Sequence, residues 1–250
     1  MDLSTVTQAS LVGVAFFAGL ISSIAGSGGI LTLPALLWAG LPPLSALATN
    51  KVQSSIGTLS SAWNFFRNGH IDIKPLVPVL LMGFIGSVIG TLAVQQLDSE
   101  ILLKLIPFLL IAIALYFLLM PKVTEANPQP KISQAWFACT AGLGMGFYGG
   151  FFGPAMGSIF PFLLVWLVAR NLVTATAETK LMILVVNGTS ALIFIAGGHV
   201  IWGLAIAMSI AQMIGARLGS NLVMKRGSNF VQPIITTVTL LMAIKLLFFA

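Results

Sequence analysis

Apolar positions along the chain come in long runs, at about 8–40, 44–66, 75–96, 101–120, 134–169, 172–197, 201–224 and 230–249, with short polar or Pro/Gly stretches between them. Most runs have the length, about 20 residues, of one helical crossing of a bilayer. Residues 8–40 are too many for that: 33 residues in one straight helix would reach about 50 Å, against a hydrocarbon core of roughly 30 Å. The run at 134–169 has the same excess. Both must break, and the glycines mark where: Gly26, Ser27, Gly28 and Gly29 in the first run, Gly149-Gly150 through Gly153-Pro154 in the second. The turns then fall within the bilayer, where irregular backbone is tolerated only if protein or a watery cavity surrounds it.

The chain repeats itself. Residues 26–34 (GSGGILTLP) align with 153–161 (GPAMGSIFP), and after a two-residue insertion the offset stays at 129. At that offset Thr49-Asn50-Lys51 matches Glu178-Thr179-Lys180, Gly69-His70 matches Gly198-His199, and Gly86 with Gly90 matches Gly215 with Gly219. The expected architecture is an all-α polytopic membrane protein of two homologous halves, 1–120 and 134–250, joined by the polar linker 121–133 (PKVTEANPQPKIS). If each broken run crosses once, the basic residues at the run ends divide five to four between the two faces. If each turns back as a hairpin, Arg67, Lys74, Lys122, Lys131, Arg170, Lys225 and Arg226 share one face and only Lys104 and Lys245 lie opposite. The positive-inside rule favours the second count. Each half is then a glycine-broken hairpin plus three transmembrane helices, the halves form an inverted repeat, both termini lie outside, and the linker is cytoplasmic.

Composition agrees with the runs. Of 250 residues 58% are hydrophobic and 7% charged, with a mean hydropathy of +1.03, against roughly 25% charged in an ordinary globular domain. The net charge of +6 would suggest nucleic acid in a soluble chain, but here the basic residues stand singly at the ends of apolar runs, as cytoplasmic loops require. The expected surroundings are a lipid bilayer, with no nucleic-acid partner. One cysteine, Cys139, rules out internal disulfides and Cys-rich metal sites and reads as a small core residue. The N-terminus lacks the basic n-region of a cleaved signal peptide, so the first apolar run is expected in the mature protein.

Three basic residues fall inside apolar runs: Lys51, Lys180 and Arg217. A lone lysine near a helix end can snorkel to the interface. Two at equivalent positions suggest a shared use, because a charge within a membrane helix costs a few kcal/mol even on lenient scales, and that use is anion binding. Arg217 breaks the repeat, with Val88 as its equivalent, and stands as a gate, a substrate contact or a snorkelling residue. Glu178 is a carboxylate candidate within the membrane, for coupling or gating or as an interfacial charge. His70 and His199 are polar punctuation or pH sensors.

A helix restarting at Gly29 or Gly157 presents unpaired N–H groups and the positive end of its dipole, with no Cβ to hold an anion away. The candidate substrate site is therefore Gly26, Ser27, Gly28 and Gly29 with Gly153, Gly157 and Ser158 from the breaks. Lys51, Thr49, Asn50, Ser54, Thr179, Lys180 and Asn187 complete it from the helices that follow. The glycines 86, 90, 215 and 219 read as helix packing. No residue is assigned to catalysis or to a metal, and no cofactor is expected.

The stretch GSGGILTLPALLWAGLPPLSALATNK (26–51), RNGHID (67–72), and the weaker GPAMGSIFP, ETK and GGH of the second half resemble the TauE/SafE family of sulfite exporters, also called TSUP transporters. The likeness runs from about residue 10 to 249, and the second half departs from the glycine-rich form at Pro154-Ala155-Met156. It implies a multi-pass secondary transporter of a prokaryotic cytoplasmic membrane moving sulfite, organosulfonates or related anions. A proton or other ion gradient would drive it, since no Walker motif is present, and a homo-oligomer is compatible with it. The alternatives are a passive anion channel of the same architecture and a membrane-embedded enzyme acting on lipid phosphates. The enzyme would need several converging carboxylates, histidines or arginines, and of these the membrane runs supply only Glu178 and Arg217, so no enzyme is expected.

Overall fold

The structure, a computed structural model, describes residues 3–26, 28–119 and 129–226. Ser27, most of the linker and the last apolar run, with Lys245, lie outside the described residues. The first half contains α1 (Thr5–Ala25), α2 (Gly28–Trp38), α3 (Pro43–Arg67), α4 (Val77–Gln95) and α5 (Ser99–Leu119). The second contains α6 (Gln134–Phe137), α7 (Leu143–Phe151), α8 (Met156–Val168), α9 (Leu172–Ala196) and α10 (Trp202–Arg226). A single wide turn, Ala138–Gly142, joins α6 to α7. It carries Cys139, which is exposed and not the core residue expected from its apolar neighbours, because the wide turn rotates it outward. No strand occurs among the described residues.

Both long runs break at their glycines. Gly26 ends α1 with φ 72°, and its N–H donates to the Ser22 carbonyl at 2.8 Å. This left-handed cap is open to glycine and costly for residues with a Cβ. In the second half Gly153 (φ 101°) and Ala155 (φ 68°) both take left-handed conformations before α8. Ala155 bears a strain of about 1–2 kcal/mol there. The run turns back on itself, since the Lys131 N–H, before α6, donates to the Leu167 carbonyl at the end of α8 at 2.9 Å. α2 likewise folds against α1: a Cβ at Gly28 would stand 2.7 Å from that of Ser22.

Equivalent positions of the halves have equivalent surroundings. α3 and α9 close through Gly69 (φ 74°) and Gly198 (φ 72°). The following His70 and His199 donate backbone N–H to Phe65 and Phe194 at 3.1 and 3.3 Å and set their rings edge-on to the same phenylalanines. That places both histidines as helix closers. The halves also exchange helices: α7 packs on α4 and α1 on α10. A Cβ at Gly86 or Gly90 would strike the α7 backbone at Leu143 or Phe147, and one at Gly215 or Gly219 the α1 backbone at Phe16 or Leu20. Backbone-to-backbone approach of this kind is how helices associate in lipid.

The radial distribution of polarity is inverted. α4 and α10 turn Leu81, Ile85 and Ile89, and Ile210, Ile214 and Leu218, outward, while α3 and α9 bury Asn50, Lys51, Gln53, Ser61, Glu178, Lys180 and Ser190. An apolar coat over a polar interior suits hydrocarbon as the solvent. Among the described residues, three segments, Thr5–Ile24, Lys74–Gln95 and Leu172–Ala196, are long and apolar enough to cross a membrane.

Candidate functional site

The two breaks meet. A Cβ at Gly26 would fall on the backbone of Gly157, and one at Gly157 on that of Gly26. α3 and α9 run past this junction and carry the two lysines to it. Lys51 is 1% exposed, and its ammonium donates to the carbonyl of Gly149, in the last turn of α7, and to Asn187 Oδ1 at 3.3 Å. Lys180, also 1% exposed, donates to the carbonyl of Ser22, in the last turn of α1. Each lysine therefore belongs to one half and caps the C-terminal end of the other half's broken helix, where the macrodipole is negative. That anchorage excludes snorkelling for both.

Between α3, α9 and the breaks lies a cavity of about 30 Å³, room for roughly two waters. Of the expected site, Gly26, Gly29, Asn50, Lys51, Ser54, Gly153, Gly157 and Asn187 border it. Asn50 is held in place by Thr32 Oγ1 at 2.6 Å and Gln53 Nε2 at 3.0 Å, both donating to its Oδ1. The remaining candidates face elsewhere. Gly28 packs on α1, Thr49 accepts the Ile201 N–H at 3.2 Å, and Thr179 donates to the Ala175 carbonyl at 2.6 Å. Ser158 is buried and does not border the cavity, and Lys180 stands behind Ser22, which does.

A profile of the family "Sulfite exporter TauE/SafE" matches residues 11–246. The chain belongs to this family. Among its relatives is the "Probable membrane transporter protein YfcA" of Escherichia coli K12, 44% identical over 242 residues, which are 95% of this chain and 90% of that one. A "Probable membrane transporter protein" of Haemophilus influenzae is 37% identical over 248 residues, 99% of this chain and 97% of its own. No solved structure matches the chain. Membership of the TauE/SafE family makes this a membrane transporter.

Two features of this TauE/SafE protein lie beyond what its sequence pattern reveals. Glu178, 2% exposed, pairs through Oε1 with Arg170 Nε at 3.3 Å. Arg170 reaches it from the turn closed by Ala169 (φ 58°). In the first half the equivalent of Glu178 is the neutral Thr49, so only one end of the repeat is ionic. Arg217, by contrast, lies exposed on α10 and does not border the cavity. The cavity also takes in Ser22, Thr58, Met156, Ile183 and Gln212. Gln212 sits on a helix whose outward face is apolar, and only the packing of α10 against α1 and α3 turns it inward.

Proposed function

We propose that this chain is a multi-pass secondary transporter of the cytoplasmic membrane that exports or exchanges small sulfur oxyanions such as sulfite. One observation carries this reading: the ammonium of Lys51 borders a small polar cavity at the meeting point of two helix breaks, in a member of a family named for sulfite export. Such a site offers an anion the amine of Lys51, side-chain donors from Asn50, Ser54 and Asn187, and first-turn backbone at Gly29 and Gly157. Its small volume favours a compact oxyanion over an organosulfonate.

The exchange of α1 and α7 between the halves, with both breaks at one level, supports an inverted repeat rocking about the site to expose it to either face in turn. The Arg170–Glu178 pair, present at one end only, would serve as the gate or as the point where a proton or another ion of the driving gradient acts. A carrier shows counterflow and a channel does not. Proteoliposomes loaded with unlabelled sulfite should therefore accumulate labelled sulfite transiently. Equilibration without overshoot would favour a channel of the same architecture, and absence of sulfite flux would overturn the substrate.

A further inference from the structure

Gln212 of α10 is 3% exposed and borders the cavity beside Lys51, and its Oε1 has no hydrogen-bond partner among the described residues. It is pressed against Gly57 of α3, where a Cβ would stand 2.8 Å from its Cδ. Asn50 and Lys51, on the neighbouring wall, are by contrast each tied to other residues of the protein. A carboxamide oxygen buried without a partner costs free energy that a methionine of similar volume would not. The repeat shows that the fold does not require it: the equivalent position on α4 is Gly83, whose space is taken by the Met182 side chain. The place at Gly83 on α4 is thus filled by apolar atoms, whereas α10 keeps an unsatisfied amide at the edge of the site. That oxygen is closed off from open space, so what the carboxamide offers the cavity is its Nε2–H donor.

We propose that Gln212 is a substrate-binding residue whose Nε2–H donates to one oxygen of the oxyanion while Lys51 holds another. Because Gly83 has no side chain to do the same from the opposite half, the two walls of the site are unequal and the cargo binds in one orientation. This rests on the oxyanion reading above. Gln212 is then the specificity-determining contact of the α10 wall.

The test is the purified full chain in detergent, with sulfite as the probe, in Gln212→Met and Gln212→Glu. Gln212→Met should raise the melting temperature without sulfite, because the unpartnered amide is gone, and weaken sulfite binding about tenfold or more. A residue that merely fills space would not move the two measurements in opposite directions. Gln212→Glu, of the same shape, should abolish sulfite binding by placing a carboxylate against the anion and the lysine. If both variants bind sulfite as the wild type does, or Gln212→Met is destabilised without ligand, the role of Gln212 is overturned while the anion site stands. If the wild type binds no sulfite, the oxyanion reading fails and this inference with it.

Discussion

The ammonium of Lys51 crosses from one half of the chain to the carbonyl oxygen of Gly149 in the other. Ser22, which receives Lys180, is the position equivalent to Gly149, so the contact is made twice with the roles of the halves exchanged. The halves hold each other through these two bonds at the level where their helices break. Their cargo-facing roles differ, since Lys51 borders the cavity and Lys180 does not.

Lys51→Gln should therefore weaken sulfite binding by tenfold or more while changing the melting temperature little, because a buried charge and its helix-end contact are lost together. Lys180→Gln, where the same two terms cancel, should also change the melting temperature little, but it should leave sulfite affinity intact because Lys180 does not border the cavity. Titration of sulfite and thermal melts of the two variants, side by side, check this. Equal losses of affinity would mean that both ammonium groups reach the anion.

Gly26→Ala and Gly157→Ala should each prevent transport, because the added Cβ would overlap the backbone of the other break, and at Gly26 a left-handed φ adds about 1–2 kcal/mol. Gly13→Ala and Gly144→Ala meet open space and should transport as the wild type does. Sulfite counterflow by the four variants reads this directly. Full activity of Gly157→Ala would show that the breaks separate during transport by more than the structure allows.

Much of the arrangement was legible in the sequence, for physical reasons that also mark the limit. The breaks at Gly26 and Gly153 follow from helix length against bilayer thickness, and the packing glycines 86, 90, 215 and 219 from repetition. What repetition cannot tell is which copy of a duplicated residue faces the cargo. Thr49 belongs to the same motif as Asn50 and Lys51, yet a rotation of about 100° per residue about α3 sends it to another surface, while Thr179 and Lys180 share the phase of Asn50 and Lys51 and still do not border the cavity, an inequality between the copies that repetition cannot show. Gln212 and the partner of Glu178 were hidden for another reason: Gln212 is placed by packing between distant segments, and Arg170 reaches its partner through a left-handed turn at a non-glycine residue.

Arg170→Gln should destabilise the protein by about 3 kcal/mol, the lower end for a broken buried pair because the Arg170 side chain is 30% exposed. The carboxylate of Glu178, 2% exposed, would be left without its cation. Replacing the pair by the residues of the first half, Arg170→Leu with Glu178→Thr, should restore stability. If the pair couples transport to an ion gradient, this double variant should keep sulfite counterflow and lose gradient-driven accumulation. Retention of both activities would reduce the pair to a structural contact.

The turning back of the second broken helix fixes which surface loops share a face of the membrane. The Lys131 N–H bonds the Leu167 carbonyl, so Gln129, before the hairpin, and Asn171, after it, must lie on the same side. A single crossing would place them on opposite sides. Both are exposed, and with Cys139→Ser removing the native thiol, cysteines at Gln129 and Asn171 become separate reporters. Asn171 caps α9 through the Thr174 N–H at 2.8 Å, so its replacement costs about 1 kcal/mol and calls for a check that the variant still transports. Given the positive charge of Lys131, Arg170 and Arg67 on this face, both cysteines should react with membrane-impermeant maleimide only in inverted vesicles. Labelling of one from each side would undo the hairpin and the inverted repeat together. Labelling of both from outside intact cells would keep the hairpin and reverse the orientation.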